Sequence, residues 1–447
     1  MESRTKPVQL PAALGGGLLL RRATSADCDA LTFFNARIHS DDGPDKPDEL
    51  VGALAHDMLS GNHPQMAPGD FTIVEEEATG RIISCMCLIS QTWSYAGILF
   101  KVGRPELVAT EPGFRNRGLI RRQFEIIHEW SRERGEMVQG ITGIPVYYRR
   151  FGYEMAMDLG GSRMLYEPLL PKLTDEEAAQ YTLRKADLAD LELIARLYDE
   201  NQSQSLVKCE RDAAMWRFEL DGRDPKNVDR VDYYILLNQA GVPAGTVATL
   251  PNESKTALVI RSVDMQQGAD NYLAARCIAH HLWRLMKTEA QSTGKPLAAL
   301  QFMLGRSHPA YELLGSSLQR PRDPYAWYLR VPDVKVFLEL IRPELDRRLA
   351  GSVCGGFNGK LMFMLEHTGY EIEFKDGVIS AITSSSKQTW SEFDATFPGL
   401  TFLQLLFGYR SLDELERWFV DINFNDKAKL LIGALFPVHP SSVWMIS

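Results

Sequence analysis

The alternation of apolar and polar positions is clearest between Glu106 and Gly135. Residues 107–110 predict a short strand, and Pro112 with Gly113 predicts a turn after it. A helix is predicted next, because apolar residues recur at the three- and four-residue spacing of one buried face, at Leu119, Ile120, Phe124, Ile127 and Trp130. Gly135 is a typical residue to end such a helix.

The same order of predicted elements occurs twice along the chain. Each set has a strand, a helix, a hairpin, a strand, a long helix and a last strand, at residues 18–20, 30–38, 71–90, 107–110, 119–134 and 137–142, and again at 181–186, 188–201, 233–249, 257–263, 272–293 and 297–303. Tyr148 and Gly152 near the end of the first set correspond to Tyr311 and Gly315 in the second. We infer an internal duplication with a repeat of about 150 residues, the size of a single domain.

The remainder of the chain has a different pattern. A helix at residues 336–349 precedes alternating strand-like runs, and further helical runs follow. The chain is therefore expected to divide into an extension at 1–17, the first copy at 18–170, the second copy at 171–333 and an α+β domain at 334–447.

Composition and charge exclude several classes of protein. A formal net charge of −9 argues against a nucleic-acid binder, which is usually basic. No apolar run approaches the roughly 20 residues that span a membrane. The six cysteines form no C-x-x-C pair, and the histidines have no metal-ligand spacing, so no metal is expected. Such cysteine usage fits a reducing, cytoplasmic setting.

The loop before the helix at residue 119 has the chemistry of an anion site. It carries Arg115, Asn116, Arg117 and Gly118, and Arg121 follows in the first turn. Unpaired amides and the positive end of the helix dipole attract anions there, whereas basic residues without an anion are unfavourable. The alternative is an ordinary turn with solvated arginines. The second copy has no arginine in the corresponding loop, so we do not expect it to bind the same ligand.

The run from Val108 to Ile120 resembles the acyl-CoA-binding motif of the GNAT superfamily of N-acetyltransferases, with Ile120 where the family has glycine or alanine. Together with residues 148–153, the degenerate second copy and a third domain, the chain is similar to the Eis ("enhanced intracellular survival") acetyltransferases. The resemblance implies an α/β (α+β) fold: tandem GNAT folds, each a mixed twisted sheet flanked by helices, then a sterol-carrier-protein-like domain. It also implies a homohexamer. Residues 320–333 resemble the passage into the last domain.

The resemblance assigns roles around acetyl-CoA to particular residues. The backbone of Val108, Ala109 and Thr110 is expected to bond the pantetheine arm. Gly143 and Ile144 are expected to border the co-substrate. The pyrophosphate is expected to lie on the loop and first helical turn, at Asn116, Arg117, Gly118, Leu119, Ile120 and Arg121.

Catalytic roles are implied for Tyr148 and for the terminal carboxylate of Ser447. Tyr148 would donate a proton to the coenzyme A thiolate; the alternative is a tyrosine that packs over Phe151. Ser447 would accept the proton of the amine, although the family has an aromatic residue at that position. The fallback for the base is a water relay to an aspartate among Asp41, Asp42, Asp45 and Asp48.

The activity implied is acetyl transfer from acetyl-CoA to a primary amine of the aminoglycoside, polyamine or lysine type, by direct attack. One alternative is a non-enzymatic acyl-CoA-binding protein. The other is a lipid carrier or scaffold that acts through residues 334–447, where Met362, Phe363, Met364 and Leu365 either line a cavity or form plain core.

Overall fold

The structure, a computed structural model, describes residues 9–250, 256–294, 297–387 and 389–443. Within these ranges the chain forms three β-sheets with helices packed against them. The strands up to residue 170 are β1 (Ala12–Gly15), β2 (Leu18–Arg22), β3 (Phe71–Glu76), β4 (Ile82–Tyr95), β5 (Ile98–Thr110), β6 (Val138–Ile141), β7 (Glu154–Leu159) and β8 (Ser162–Tyr166). The strands between residues 171 and 333 are β9 (Tyr181–Lys185), β10 (Val207–Glu210), β11 (Asp232–Asn238), β12 (Pro243–Leu250), β13 (Ala257–Met265), β14 (Ala299–Phe302), β15 (Leu318–Arg322) and β16 (Tyr325–Arg330).

The third segment supplies the remaining strands, and helices occur in all three segments. The last strands are β17 (Gly359–Leu365), β18 (Thr368–Lys375), β19 (Val378–Ser385), β20 (Ala395–Phe397) and β21 (Asn423–Phe424). The helices are α1 (Cys28–Ile38), α2 (Glu49–Leu59), α3 (Leu119–Glu133), α4 (Asp175–Ala178), α5 (Leu191–Asn201), α6 (Ala213–Arg217), α7 (Asn271–Thr293), α8 (Pro309–Leu314), α9 (Val334–Ala350), α10 (Phe402–Leu406), α11 (Leu412–Trp418) and α12 (Asp426–Leu435).

The two larger sheets show the repeated order of elements that the sequence predicts. Each contains an antiparallel series followed by one parallel pair, β5 with β6 in the first sheet and β13 with β14 in the second. The long helices α3 and α7 form the crossovers between the strands of these pairs. The expected α/β class, with mixed sheets flanked by helices, is confirmed.

The two copies exchange a strand. The first sheet has the order β1-β2-β3-β4-β5-β6-β16-β7, so β16 of the second copy lies between two strands of the first. In the second sheet, of order β15-β8-β14-β13-β12-β11-β9, strand β8 of the first copy takes the equivalent place. Strand β10 of the second copy also pairs with β4, so three strands in all lie in the sheet of the other copy. The passage that the sequence suggested at residues 320–333 includes β16, which is part of the first sheet, and the end of β15, which is part of the second.

The third sheet, of order β19-β18-β17-β20-β21, packs on the first through a continuous apolar core. The Tyr95 hydroxyl donates to the Leu406 carbonyl at 2.8 Å. On β17, Phe363 stacks between Tyr370 and Phe402, with ring centroids at 5.3 and 5.0 Å. Leu365 is also buried, which favours plain core for this part of the Met-rich run.

In the described ranges, no helix is long and apolar enough to cross a membrane. The same residues contain no group of three or more His, Cys, Asp or Glu side chains placed to hold a metal ion.

Candidate active site

An opening forms where β5 and β6 separate. Their parallel pairing is limited to Val102 with Val138 and Gly103 with Gln139, whereas β5 continues to Thr110. A bulge opposite Cys85 and Cys87 bends β5 near its end, and Leu107 there has φ = +50°.

The end of β5 presents backbone groups to this opening. The Glu111 amide donates to the Ile83 carbonyl on β4 at 2.9 Å. Because successive strand residues point their backbone groups in alternate directions, those of Val108 and Thr110 face away from β4 and into the opening. This is the geometry that backbone bonding of an extended ligand arm requires.

The loop between β5 and α3 presents amides at a helix start. Asn116 and Gly118 both have left-handed backbones, with φ of +62° and +76°, and Gly118 caps the helix. The first turn contains no acidic residue. Arg117 is exposed, and its guanidinium donates to the Gly113 carbonyl at 3.2 Å. The loop therefore combines helix-end amides with cationic side chains, the arrangement that binds phosphate groups.

A buried chain of side-chain hydrogen bonds fixes α3 against β5. The Thr72 hydroxyl donates to the Gln123 side-chain carbonyl at 2.9 Å, and the Gln123 amide donates to the Ser84 hydroxyl at 2.7 Å. Ser84 in turn donates to the Ala109 carbonyl at 2.7 Å. Because every member of this chain is buried and bonded, it holds the start of the helix in a fixed position relative to the end of the strand.

Tyr148 lies on the opposite side of the opening, in the helical turn Tyr147–Phe151 that follows β6. Its ring is buried, with centroids 6.1 Å from Phe124 and 5.5 Å from Tyr328. Its hydroxyl makes no hydrogen bond to any residue in the described ranges. Burial raises the pKa of Tyr148, and the negative charge of Glu106 raises it further, so the phenol is protonated at neutral pH.

The corresponding tyrosine of the second copy has a different environment. The Tyr311 hydroxyl accepts from the Leu304 amide at 3.1 Å and donates to the Phe302 carbonyl at 3.0 Å. The Tyr311 hydroxyl thus both accepts and donates a hydrogen bond within the second copy. Tyr311 therefore stabilises its own loop, whereas the Tyr148 hydroxyl is available to a ligand.

Glu106 is a candidate site residue to which the sequence analysis assigned no role. Its carboxylate pairs with Arg104 at 3.0 Å. Burial raises the pKa of Glu106, and repulsion from Asp229 adds to this effect. Its charge also raises the pKa of Tyr148, so the two groups lie within electrostatic range of each other. The sequence signal that could have identified Glu106 is its place as a carboxylate on the strand that leads into the anion loop.

One of the four aspartates named as a fallback base, Asp48, has a structural role. Asp48 caps α2, because its side chain accepts from the amides of Leu50 and Val51 at 2.9 and 3.3 Å. It is therefore occupied in the fold.

Most of the predicted site residues lie around the one opening. Leu119 and Tyr148 belong to one apolar cluster, against which Val108 and Ile120 pack. The side chains of Leu119 and Ile120 thus point to the core, so only their amides are available to an anion. Ala109 is buried and Thr110 is half-buried, whereas the exposed members are Asn116, Arg117, Gly118, Arg121, Gly143 and Ile144. Ser447 lies outside the described residues.

Sequence comparison identifies the first of the two copies. Residues 21–156 match the acetyltransferase (GNAT) domain family. No curated protein sequence matches the chain.

Solved structures extend the similarity to nearly the whole chain. A conserved protein from Enterococcus faecalis V583 is 13% identical, with 95% of this chain and 98% of that chain covered and a TM-score of 0.67. A GCN5-related N-acetyltransferase from Kribbella flavida is 15% identical, with coverages of 95% and 97% and a TM-score of 0.62. Eis1 from Mycobacterium abscessus is 16% identical, with coverages of 95% and 99% and a TM-score of 0.59. At these identities the similarity establishes a shared fold.

Proposed function

We propose that the protein transfers the acetyl group of acetyl-CoA to a primary amine, by direct attack of the amine on the thioester. The observation that carries this proposal is one opening, between β5 and β6, with an anion loop on one side and the free hydroxyl of Tyr148 on the other. The GNAT match over residues 21–156 supports the same reaction class.

The residues of the opening fit acetyl-CoA as co-substrate, which supplies the acetyl group as a reactive thioester. The amides of Asn116–Arg121 would hold the pyrophosphate at the start of α3, and Arg117 and Arg121 would add positive charge. The outward-facing backbone of Val108 and Thr110 would bond the pantetheine amides, next to Ala109. Gly143 and Ile144 would border the arm on the side of β6.

Tyr148 is proposed as the general acid. Its Oη would donate a proton to the departing thiolate of coenzyme A. Two observations support this role. Tyr148 is protonated at neutral pH, and its hydroxyl makes no hydrogen bond to any residue in the described ranges. Positioning both reactants in the opening would supply much of the rate enhancement.

Two carboxylates are candidates for the general base that removes the ammonium proton. One is Glu106, which lies on β5, has a raised pKa and interacts electrostatically with Tyr148. The terminal carboxylate of Ser447 is the other candidate, on the resemblance to the Eis proteins. The last described residues before Ser447 lie beside the first sheet, because Ser442 forms a parallel bridge with Lys208 on β10. Strand β10 in turn pairs antiparallel with β4 between Tyr95 and Thr92.

The acceptor is proposed to be a cationic amine of the aminoglycoside, polyamine or lysine type. The negative charge of Asp229 acts on Glu106, which lies on the strand that borders the opening. A protonated amine that entered there would offset their mutual repulsion.

The remaining parts of the proposal rest on the resemblance. We propose a homohexamer in the cytoplasm, in which residues 334–447 form a sterol-carrier-protein-like domain. The five-stranded third sheet with its packed helices is compatible with this domain assignment.

Acetyl-CoA turnover over a panel of mono-, di- and polyamines, followed by thiol release, tests the proposal. We expect turnover that saturates with both substrates and an acetylated amine as product. Binding of coenzyme A without turnover of any amine would instead indicate an acyl-CoA-binding protein. Absence of coenzyme A binding would contradict both functions.

A further inference from the structure

The segment that carries Tyr148 into the site has a strained backbone. Val146, which precedes the helical turn of Tyr148, has φ = +70° and ψ = −27°. A β-branched residue rarely adopts a positive φ, because its side chain clashes with its own backbone. Val146 is 62% exposed, so packing of its side chain does not hold it in this conformation.

Two tyrosines of the exchanged strand β16 hold this segment. The Val146 amide donates to the Tyr328 hydroxyl at 2.6 Å, and that hydroxyl donates to the Ile144 carbonyl at 3.4 Å. The Tyr325 hydroxyl donates to the Gly143 carbonyl at 3.2 Å. Both tyrosines come from the second copy, and every bond falls in the five residues between β6 and the turn of Tyr148.

We infer that Tyr328 is a positioning residue, through which the second copy sets the place of Tyr148 in the site of the first. Tyr328 is fully buried, so its hydroxyl has a fixed position from which to bind the Val146 amide. Its ring also lies 5.5 Å from that of Tyr148. Strain persists in a backbone only where the surroundings over-determine it, and β16 provides that constraint.

This inference rests on the proposed acetyltransferase activity and adds a function for the second copy. Although the second copy lacks the arginine loop, its last strand completes the first sheet and bonds the catalytic segment. Activity would therefore require both copies, even though only one binds the co-substrate.

The test compares Tyr328→Phe with the matched control Tyr153→Phe in the full-length protein. Tyr153 is also buried in this aromatic cluster, but its hydroxyl bonds His128 at 3.0 Å and not the segment of Val146. For Y328F we expect kcat to fall about 10- to 100-fold, since a small misplacement of a reacting group has effects of this size. The KM for acetyl-CoA is expected to change less than about 2-fold, because the anion loop sets it. Y153F should keep kcat within about 2-fold.

A rescue experiment separates positioning from a general loss of stability. Glycine adopts a positive φ without strain, so Val146→Gly removes the need for the bond that holds Val146. We expect V146G alone to be close to wild type and V146G in the Y328F background to recover kcat at least about 5-fold. Amide hydrogen exchange of residues 143–147 should be faster in Y328F than in wild type or Y153F.

The outcomes distinguish this inference from the proposed function. A wild-type protein without turnover contradicts the function itself. If wild type is active and Y328F keeps its kcat, or if V146G gives no recovery, the positioning role is wrong while the function stands. Tyr325→Phe, at a more exposed position, gives a second test that does not risk unfolding, with an expected fall in kcat of about 2- to 5-fold.

Discussion

The ring of Tyr148 lies directly against the backbone of Gly143. A Cβ atom at position 143 would stand 2.5 Å from Cε2 of Tyr148 and 3.1 Å from its hydroxyl oxygen. Gly143 also has φ = +154°, which side-chain-bearing residues rarely adopt. The residue expected to border the co-substrate thus also leaves the space that the candidate general acid fills.

Gly143→Ala should displace the Tyr148 ring. We expect kcat to fall at least about 10-fold, since the methyl group and the ring cannot occupy the same space. Gly113→Ala is the matched control, because a Cβ there meets nothing within 4 Å. Steady-state kinetics of both variants check this, and equal rates for G143A and G113A would contradict it.

Tyr148→Phe should remove the proton donor while the ring stays in place. We expect kcat to fall about 100-fold with coenzyme A binding unchanged, the usual size of a general-acid contribution. Thiol release and isothermal titration with coenzyme A measure the two quantities. A variant with the full wild-type rate would exclude Tyr148 as the acid.

Arg117 and Arg121 should bind the co-substrate through charge. We expect the double variant R117A/R121A to raise the KM for acetyl-CoA about 10-fold or more, with a smaller change in kcat. Arg132→Ala is the control, because Arg132 lies at the other end of α3 and pairs with Glu129. The increase in KM should shrink at high salt, where screening weakens the lost attraction. An unchanged KM would argue against the anion loop.

Glu106 should determine the acid limb of the pH–rate profile if it is the base. A base must be ionised to accept a proton, and burial raises the pKa of Glu106, so activity rises with pH through that raised pKa. We expect Glu106→Gln to lower kcat about 100-fold and to remove this limb. Deletion of residues 446–447 should change kcat less than about 3-fold. The reverse pattern would assign the base to the terminal carboxylate.

His128 should make stability depend on pH. Burial lowers its pKa to about 3, below the ordinary value of about 6.5, so the folded state holds it neutral. Its contribution is fully present above about pH 6.5 and is lost as the pH falls towards 3, because the unfolded chain binds the proton more readily. We expect His128→Gln to lose about 2 kcal/mol less than wild type between pH 7 and pH 5. Urea denaturation at both pH values measures this, and parallel losses would contradict it.

Much of the fold was predictable because it is encoded locally. The 3.6-residue spacing of Leu119, Phe124 and Ile127 predicts α3 and its buried face, all three being buried in the structure. The glycine and arginines before Leu119 identify the anion loop for the same reason, since a helix start needs only its own neighbours. The duplication followed from the order of such local elements.

Only the tertiary structure decided which strands meet. A period-2 pattern predicts which face of a strand is buried, but it does not determine which other strand it pairs with. The exchange of β8 and β16 was therefore not visible in the sequence. The same holds for the site: Tyr328 reaches Val146 across 182 positions in the chain, and no local pattern records that bond. The sequence by itself thus determined where the acetyl donor is expected to bind, through local spacing and charge. Long-range packing alone brought Glu106 within electrostatic range of Tyr148, and it alone bonded Tyr328 of the second copy to the segment before Tyr148.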